Sequence, residues 1–77
     1  MPRNDPKLIL AAMRTAEARR IVAAQRVHVA NLKAIGGNAH EAEQKLSIYE
    51  SSLRHLEEHE AALRQARKRY PYKKPSN

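Results

Sequence analysis

A seam that repeats every four and three residues runs along the second half of the chain. Its members are apolar except at two positions, and in order they are Ala42, Leu46, Tyr49, Leu53, Leu56, Glu60, Leu63, Arg67 and Tyr70. Side chains with this spacing line one side of an α-helix and face a partner helix in a coiled coil. The pattern therefore predicts one long helix over about residues 39–70 that packs against another helix.

The first half of the chain predicts that other helix, over residues 6–35. Asp5 can accept a hydrogen bond from a free amide of the first turn, and Pro6 suits the first helical position, where no bonded donor is lost. Gly36-Gly37 ends the helix because glycine adopts the left-handed conformation without steric cost. Asn38 can cap the next helix, and Glu41 can complete a capping box. So short a connection makes the two helices antiparallel neighbours.

Both helices agree on one register. If the chain turns at Gly37, residues whose numbers sum to about 74 or 75 face each other, and the apolar residues of the first helix then meet the seam of the second. Glu60 is an acid within this seam, and the facing row supplies Thr15 and the neighbouring cation Arg14. The expected hairpin core consists of Leu8, Ala11, Ala18, Val22, Val29, Leu32, Leu46, Tyr49, Leu53, Leu56 and Leu63.

A second apolar stripe follows the first helix outside this core, interrupted by Arg20. A lone hairpin would leave the stripe in water, and contiguous exposed apolar surface usually marks an interface. We therefore expect self-association, most simply a two-fold dimer that forms a four-helix bundle. The expected oligomer interface consists of Ile9, Met13, Ala16, Ala23, Val27 and Ala30, with Ala34 at the end of the stripe.

Composition supports this all-helical architecture. The chain has 77 residues, rich in helix formers, with two glycines and no cysteine, so it forms at most one domain and contains no disulfide. We predict an N-terminal arm at 1–5, the hairpin at 6–70 and a basic flexible tail at 71–77. No segment is apolar and long enough to span a membrane, and no secretion signal is evident, so we expect a soluble cytoplasmic protein.

Charge is distributed unevenly along the chain, whose net charge is +7. Acids exceed cations over residues 39–63, whereas residues 64–77 contain six cations and no acid. On the second helix, acids precede cations by one turn, which favours ion pairs within the helix. These pairs are Glu41/Lys45, Glu50/Arg54 and Glu60/Arg64.

The stretch from Arg20 to Gln65 resembles a group of small alphaproteobacterial helical-hairpin proteins of uncharacterised function. The residues that support the resemblance are Arg20-Ile21-Val22, Gln25, Leu32, Gly36, Glu41-Ala42, Leu46, Tyr49-Glu50, Ser52-Leu53 and His59. The resemblance implies a bacterial, cytoplasmic setting and does not indicate a function.

Candidate chemistry is sparse. His55 and His59 lie one helical turn apart, a spacing that can share a metal ion, but Leu56 occupies the position where a zincin helix has its catalytic glutamate. We interpret the two histidines as surface residues and expect no metal site and no cofactor. The chain also lacks a glycine-rich phosphate loop and a nucleophile elbow, so we expect no enzymatic activity.

The basic C-terminus leaves two interpretations of function open. Its cations could neutralise phosphates while its tyrosines stack on bases, or they could simply complement the helix dipole and aid solubility. The candidate nucleic-acid contacts are Arg64, Arg67, Lys68, Arg69, Tyr70, Tyr72, Lys73 and Lys74. We favour a non-enzymatic adaptor or regulator that binds an unidentified protein, with a nucleic-acid-binding accessory protein as the alternative. A membrane-surface peptide is disfavoured because no helix joins a strongly apolar face to a basic one.

Overall fold

Two long helices packed side by side make up the part of the chain that the computed structural model describes, which is residues 5–69 with side chains up to residue 66. Helix α1 spans Pro6–Ala34 and helix α2 spans His40–Arg69. Contacts pair the end of α1 with the beginning of α2 and the middle of α1 with later parts of α2, so the helices are antiparallel. The prediction of an all-helical hairpin is confirmed.

Local signals explain both ends of α1. The Asp5 carboxylate accepts a hydrogen bond from the Lys7 amide at 3.0 Å, and Pro6 occupies the first turn. At the other end, the Gly37 amide donates to the Leu32 carbonyl at 2.8 Å and the Gly36 amide donates to the Lys33 carbonyl at 3.1 Å. This pair of hydrogen bonds requires a residue in the left-handed backbone conformation, and Gly36 adopts that conformation with a φ of 74°. The helix ends at Ala34, one residue before the expected limit.

The connection positions the start of α2. The Asn38 side-chain oxygen accepts a hydrogen bond from the His40 amide at 2.9 Å, and the Ala39 carbonyl accepts from the Glu43 amide at 2.8 Å. Glu41 and Glu43 lie in the first turn, where the positive end of the helix dipole stabilises carboxylates. The first residue of α2 is His40, one residue after the expected start.

A narrow core runs along the line where the helices meet. Among the expected core residues, Ala11, Val22 and Val29 are fully buried, and the remaining eight are only half-buried. Near the turn, Val29 packs with Ala39 and Ala42, and Leu32 and Leu46 cover this cluster. Thr15 and Ala39 are also buried, although the expected core did not include them. One neighbouring helix covers only one side of each large side chain, which is why the leucines stay partly in water.

Candidate interaction surfaces

Within residues 5–66, three ion pairs cross from α1 to α2 along one flank of the core. The cations are seven residues apart on α1, and their carboxylates are seven residues apart on α2 in the opposite order. We call this row the cross-helix ladder. Its nitrogen–oxygen distances are 3.3 Å for Arg19–Glu57, 3.1 Å for Arg26–Glu50 and 2.7 Å for Lys33–Glu43.

The cross-helix ladder acts mainly on the register of the hairpin. Its side chains are between 38% and 62% exposed, and exposed ion pairs of this kind each stabilise a fold by only about 0.2–1 kcal/mol. A shift of either helix by one turn would separate every cation from its acid. At Glu43, the hydrogen bond from Lys33, followed by the charge of Lys33, lowers the pKa of the carboxyl group.

This ladder corrects one expectation from the sequence. The spacing on α2 predicted an ion pair between Glu50 and Arg54 of the same helix, whereas in the structure Glu50 forms its ion pair with Arg26 of α1. Glu60 does pair with Arg64 one turn away, as the same rule predicted. The signal for the ladder was present in the sequence as two matching seven-residue spacings, but it is visible only once the two helices are aligned.

Polar side chains also enter the core and bond to the backbone of the facing helix. Thr15 is completely buried, and its hydroxyl donates to the Ala11 carbonyl at 2.9 Å and lies 3.4 Å from the Leu56 carbonyl. Gln25 is half-buried, and its amide nitrogen donates to the Ala42 carbonyl at 2.9 Å. Both groups are therefore satisfied. The Gln25 bond and the longer Thr15–Leu56 contact join the two helices at specific positions, which favours a single register.

Glu60 lies at the edge of the core with its side chain only 12% exposed. A hydrogen bond from Arg64 lowers the pKa of this carboxyl group, and a smaller effect in the same direction comes from Thr15. Arg14, the cation expected to compensate Glu60, is exposed and takes no part in these interactions. The reason is its position: it precedes Thr15 and so lies on the flank of α1 opposite Arg19, whose charge does reach Glu60.

The expected oligomer interface lies on the side of α1 that faces away from α2. Together with Ala34 and the interrupting Arg20, the interface residues form a row of eight, which we call the outer stripe. Its large apolar members are well exposed, at 45% for Ile9, 61% for Met13 and 59% for Val27. Ala16 is half-buried, and Ala23 and Ala30 are exposed. The complete outer stripe is Ile9, Met13, Ala16, Arg20, Ala23, Val27, Ala30 and Ala34.

The outward side of α2 is different in character. Within residues 40–66, Ile48 is the large apolar side chain that is exposed, at 63%, and its surroundings are mainly charged and polar. On α1, by contrast, Leu10 and Ile21 are also exposed, in addition to the large apolar residues of the outer stripe. The two helices therefore present unlike faces to their surroundings, one apolar and one polar.

A groove between the helices is open to solvent at mid-length. Val22 and Leu53 lie at its base, and the ladder residues Arg19, Arg26, Glu50 and Glu57 form its sides. These four charged groups pair with one another across the groove. Arg54 also lines the groove.

His55 and His59 are exposed on α2. The His55 ring nitrogen lies 3.9 Å from a Glu58 carboxylate oxygen, a long contact between side chains that are both mostly in water. Over the described part of the chain, no group of three or more histidine, aspartate or glutamate residues is placed to hold a metal ion.

The basic C-terminus is described only in part. Arg64 is exposed and pairs with Glu60, and the helical backbone continues through Arg69. The side chains of Arg67, Lys68 and Arg69 lie outside the described residues, as do Tyr70, Tyr72, Lys73 and Lys74 and the whole of the expected tail. The N-terminal arm is described only at Asp5.

No family model, curated protein or solved structure matches the chain. Neither helix, within the residues that the structure describes, contains a stretch long and apolar enough to cross a bilayer. Evidence on function therefore comes from the surfaces of the hairpin itself.

Proposed function

We propose that the chain is a non-enzymatic helical-hairpin interaction module, a small adaptor or regulator that acts through protein–protein contacts. The observation that supports this proposal is the contrast between the two outward faces, apolar on α1 and polar on α2. Apolar surface left in water by a small fold is the usual sign of a surface that binds another protein.

The first partner that we propose is a second copy of the chain, giving a dimer of four helices. Complete burial of a valine, isoleucine or methionine side chain stabilises by about 1.5–3 kcal/mol relative to full exposure, and the residues of the outer stripe have about half of that still to gain. In a two-fold interface the free energy gained by burying each side chain occurs twice, because both copies contribute the same side chains. The remaining surface of α2 stays available for a further protein partner.

A matched pair of substitutions tests this proposal. Val27→Asp places a charge in the outer stripe, and Ile48→Asp makes an equivalent change on the polar side of α2; the two side chains are 59% and 63% exposed. Light scattering after size exclusion should find the unmodified protein and Ile48→Asp at twice 8.8 kDa, and Val27→Asp at the monomer mass. A monomer for all three proteins, or equal loss in both variants, would contradict the proposal.

Nucleic-acid binding is the second candidate function, and the concentration of six cations without an acid over residues 64–77 favours it. Lysine and arginine clusters attract phosphates without regard to sequence, so the contact would be electrostatic. We further propose, from the sequence resemblance, that the protein is located in the bacterial cytoplasm; the absence of cysteine is compatible with this location. Cell fractionation with an antibody to the protein tests this location.

A further inference from the structure

We propose that the outer stripe of α1 pairs with the same stripe of a second copy in an antiparallel arrangement, with Met13 opposite Ala30 of the second copy and Ala16 opposite its Val27. This inference rests on the self-association proposed above and adds the direction and the alignment of the two α1 helices. In the resulting assembly the α1 helices are in the middle and the α2 helices lie outside.

The order of side-chain sizes along the outer stripe supports the antiparallel direction. The first residue of the stripe can be paired with the last, the second with the second last, and so on, which gives four pairs. Each pair combines one alanine with one larger residue. Two antiparallel copies would therefore set a large side chain against an alanine in every layer, and the helices could approach closely without gaps or clashes. The pairs are Ile9/Ala34, Met13/Ala30, Val27/Ala16 and Arg20/Ala23.

The charge within the stripe also bears on the direction. In a parallel, aligned pair, Arg20 would face Arg20 of the second copy directly, which places two like charges in one layer of the interface. In the antiparallel pair it faces Ala23, and the two Arg20 residues lie in neighbouring layers, about 4.5 Å apart along the axis, where each guanidinium can extend back along its own helix. Glu17 already holds it there, since its carboxylate oxygen accepts a hydrogen bond from Arg20 Nε at 3.2 Å.

The cross-helix ladder removes an obstacle to this pairing. Arg19 and Arg26 lie beside the outer stripe, and in the antiparallel alignment Arg19 of one copy comes near Arg26 of the other. Within each chain these cations are already paired with Glu57 and Glu50 of α2. The ladder therefore converts a flank that would repel its copy into one with nearly balanced charge.

Other antiparallel alignments fit less well. A shift by seven residues in one direction sets Val27 against Ile9, and a shift in the other direction sets Ala34 against Ala16. The first combines two branched side chains in one layer, and the second leaves a gap between two alanines. Either shift also loses two of the eight layers, so the proposed alignment buries the most surface.

Disulfide trapping tests the alignment directly, because the chain has no cysteine of its own. Met13→Cys and Ala30→Cys would be prepared separately, mixed under reducing conditions until their subunits exchange, and then oxidised. Cysteines bridge only when their Cα atoms are within about 7 Å. In the proposed dimer residues 13 and 30 are opposite each other, whereas each is about 25 Å along the axis from its own counterpart. We expect a disulfide between the two variants, recognised by its mass, and none within either variant alone.

The outcomes separate this inference from the proposed function. If Ala30→Cys readily forms a disulfide with itself, or if no disulfide forms although light scattering still shows a dimer, the antiparallel alignment is wrong and the self-association stands. If the unmodified protein is a monomer, both proposals fail.

A pair of charge substitutions adds a second readout. Ala23→Glu would place its carboxylate against Arg20 of the second copy, so the dimer should persist, whereas Ala30→Glu would meet Met13 and should shift the protein to the monomer mass. A parallel dimer would lose its association in both variants, because each new glutamate would face its own counterpart, and that result would overturn the inference.

Discussion

The replacement of Val22 by alanine tests whether the narrow core supplies the stability of the hairpin. Val22 is 2% exposed and lies with Leu53 of the facing helix at the base of the groove. The substitution removes two methyl groups, each worth about 0.8 kcal/mol of transfer free energy, and leaves a small cavity, so we expect a loss of about 2 kcal/mol. For a chain of this length, such a loss lowers Tm by about 8–16 °C.

Val27→Ala is the control for this measurement. It makes the same chemical change five residues further along α1, at a side chain that is 59% exposed. In the monomer it should be neutral or stabilise by a few tenths of a kcal/mol, since alanine is the better helix former. Thermal unfolding would be followed by circular dichroism at several protein concentrations. Val22→Ala should destabilise at all of them, and Val27→Ala only where the dimer is populated. Equal effects of the two variants at every concentration would refute the distinction between core and outer stripe.

Three further predictions address the turn, the ion pairs and the basic C-terminus. Gly36→Ala should lower the free energy of unfolding by about 1–2 kcal/mol in urea titrations, because φ is 74° there, and Gly36→Asn should lose less; equal losses would contradict this explanation. The pKa values of Glu43 and Glu60 are lowered in the folded chain, so their stabilising contribution is present above the ordinary glutamate pKa and is lost as the pH falls through the lowered values. Carboxyl titration by NMR should show the pKa of both groups below the ordinary glutamate value, and Lys33→Gln should return the pKa of Glu43, but not that of Glu60, towards this value. If the C-terminus binds DNA, the slope of log K against log salt should be about −5 per chain and should fall to about −2 when Lys68, Arg69, Lys73 and Lys74 are changed to glutamine; no binding at low salt would eliminate this function.

The helices and their pairing were predictable because their signals are local or strictly periodic. Asp5-Pro6 and Gly36 mark helix ends through bonds to residues only a few positions away, and these bonds are present in the structure. The seam of α2 requires only that side chains three and four residues apart share a face. The hairpin therefore follows from signals within one chain.

The interactions that the sequence did not reveal depend on the alignment of the two helices. Glu50 has a basic residue one turn away in its own helix, so its pairing with Arg26 became apparent only from the geometry. Thr15 is polar and was not expected to be the most completely buried residue, but its hydroxyl is satisfied by the carbonyl one turn earlier. Ala39 is buried because the turn folds it against Val29, which no periodic pattern within either helix could indicate.

Sedimentation equilibrium of the unmodified protein over a wide range of concentration measures directly whether a second copy occupies the outer stripe of α1. We expect a weight-average mass that rises from 8.8 kDa at low concentration towards twice that value and then levels off, as a closed two-fold dimer requires. A mass that stays at the monomer value throughout would contradict this expectation.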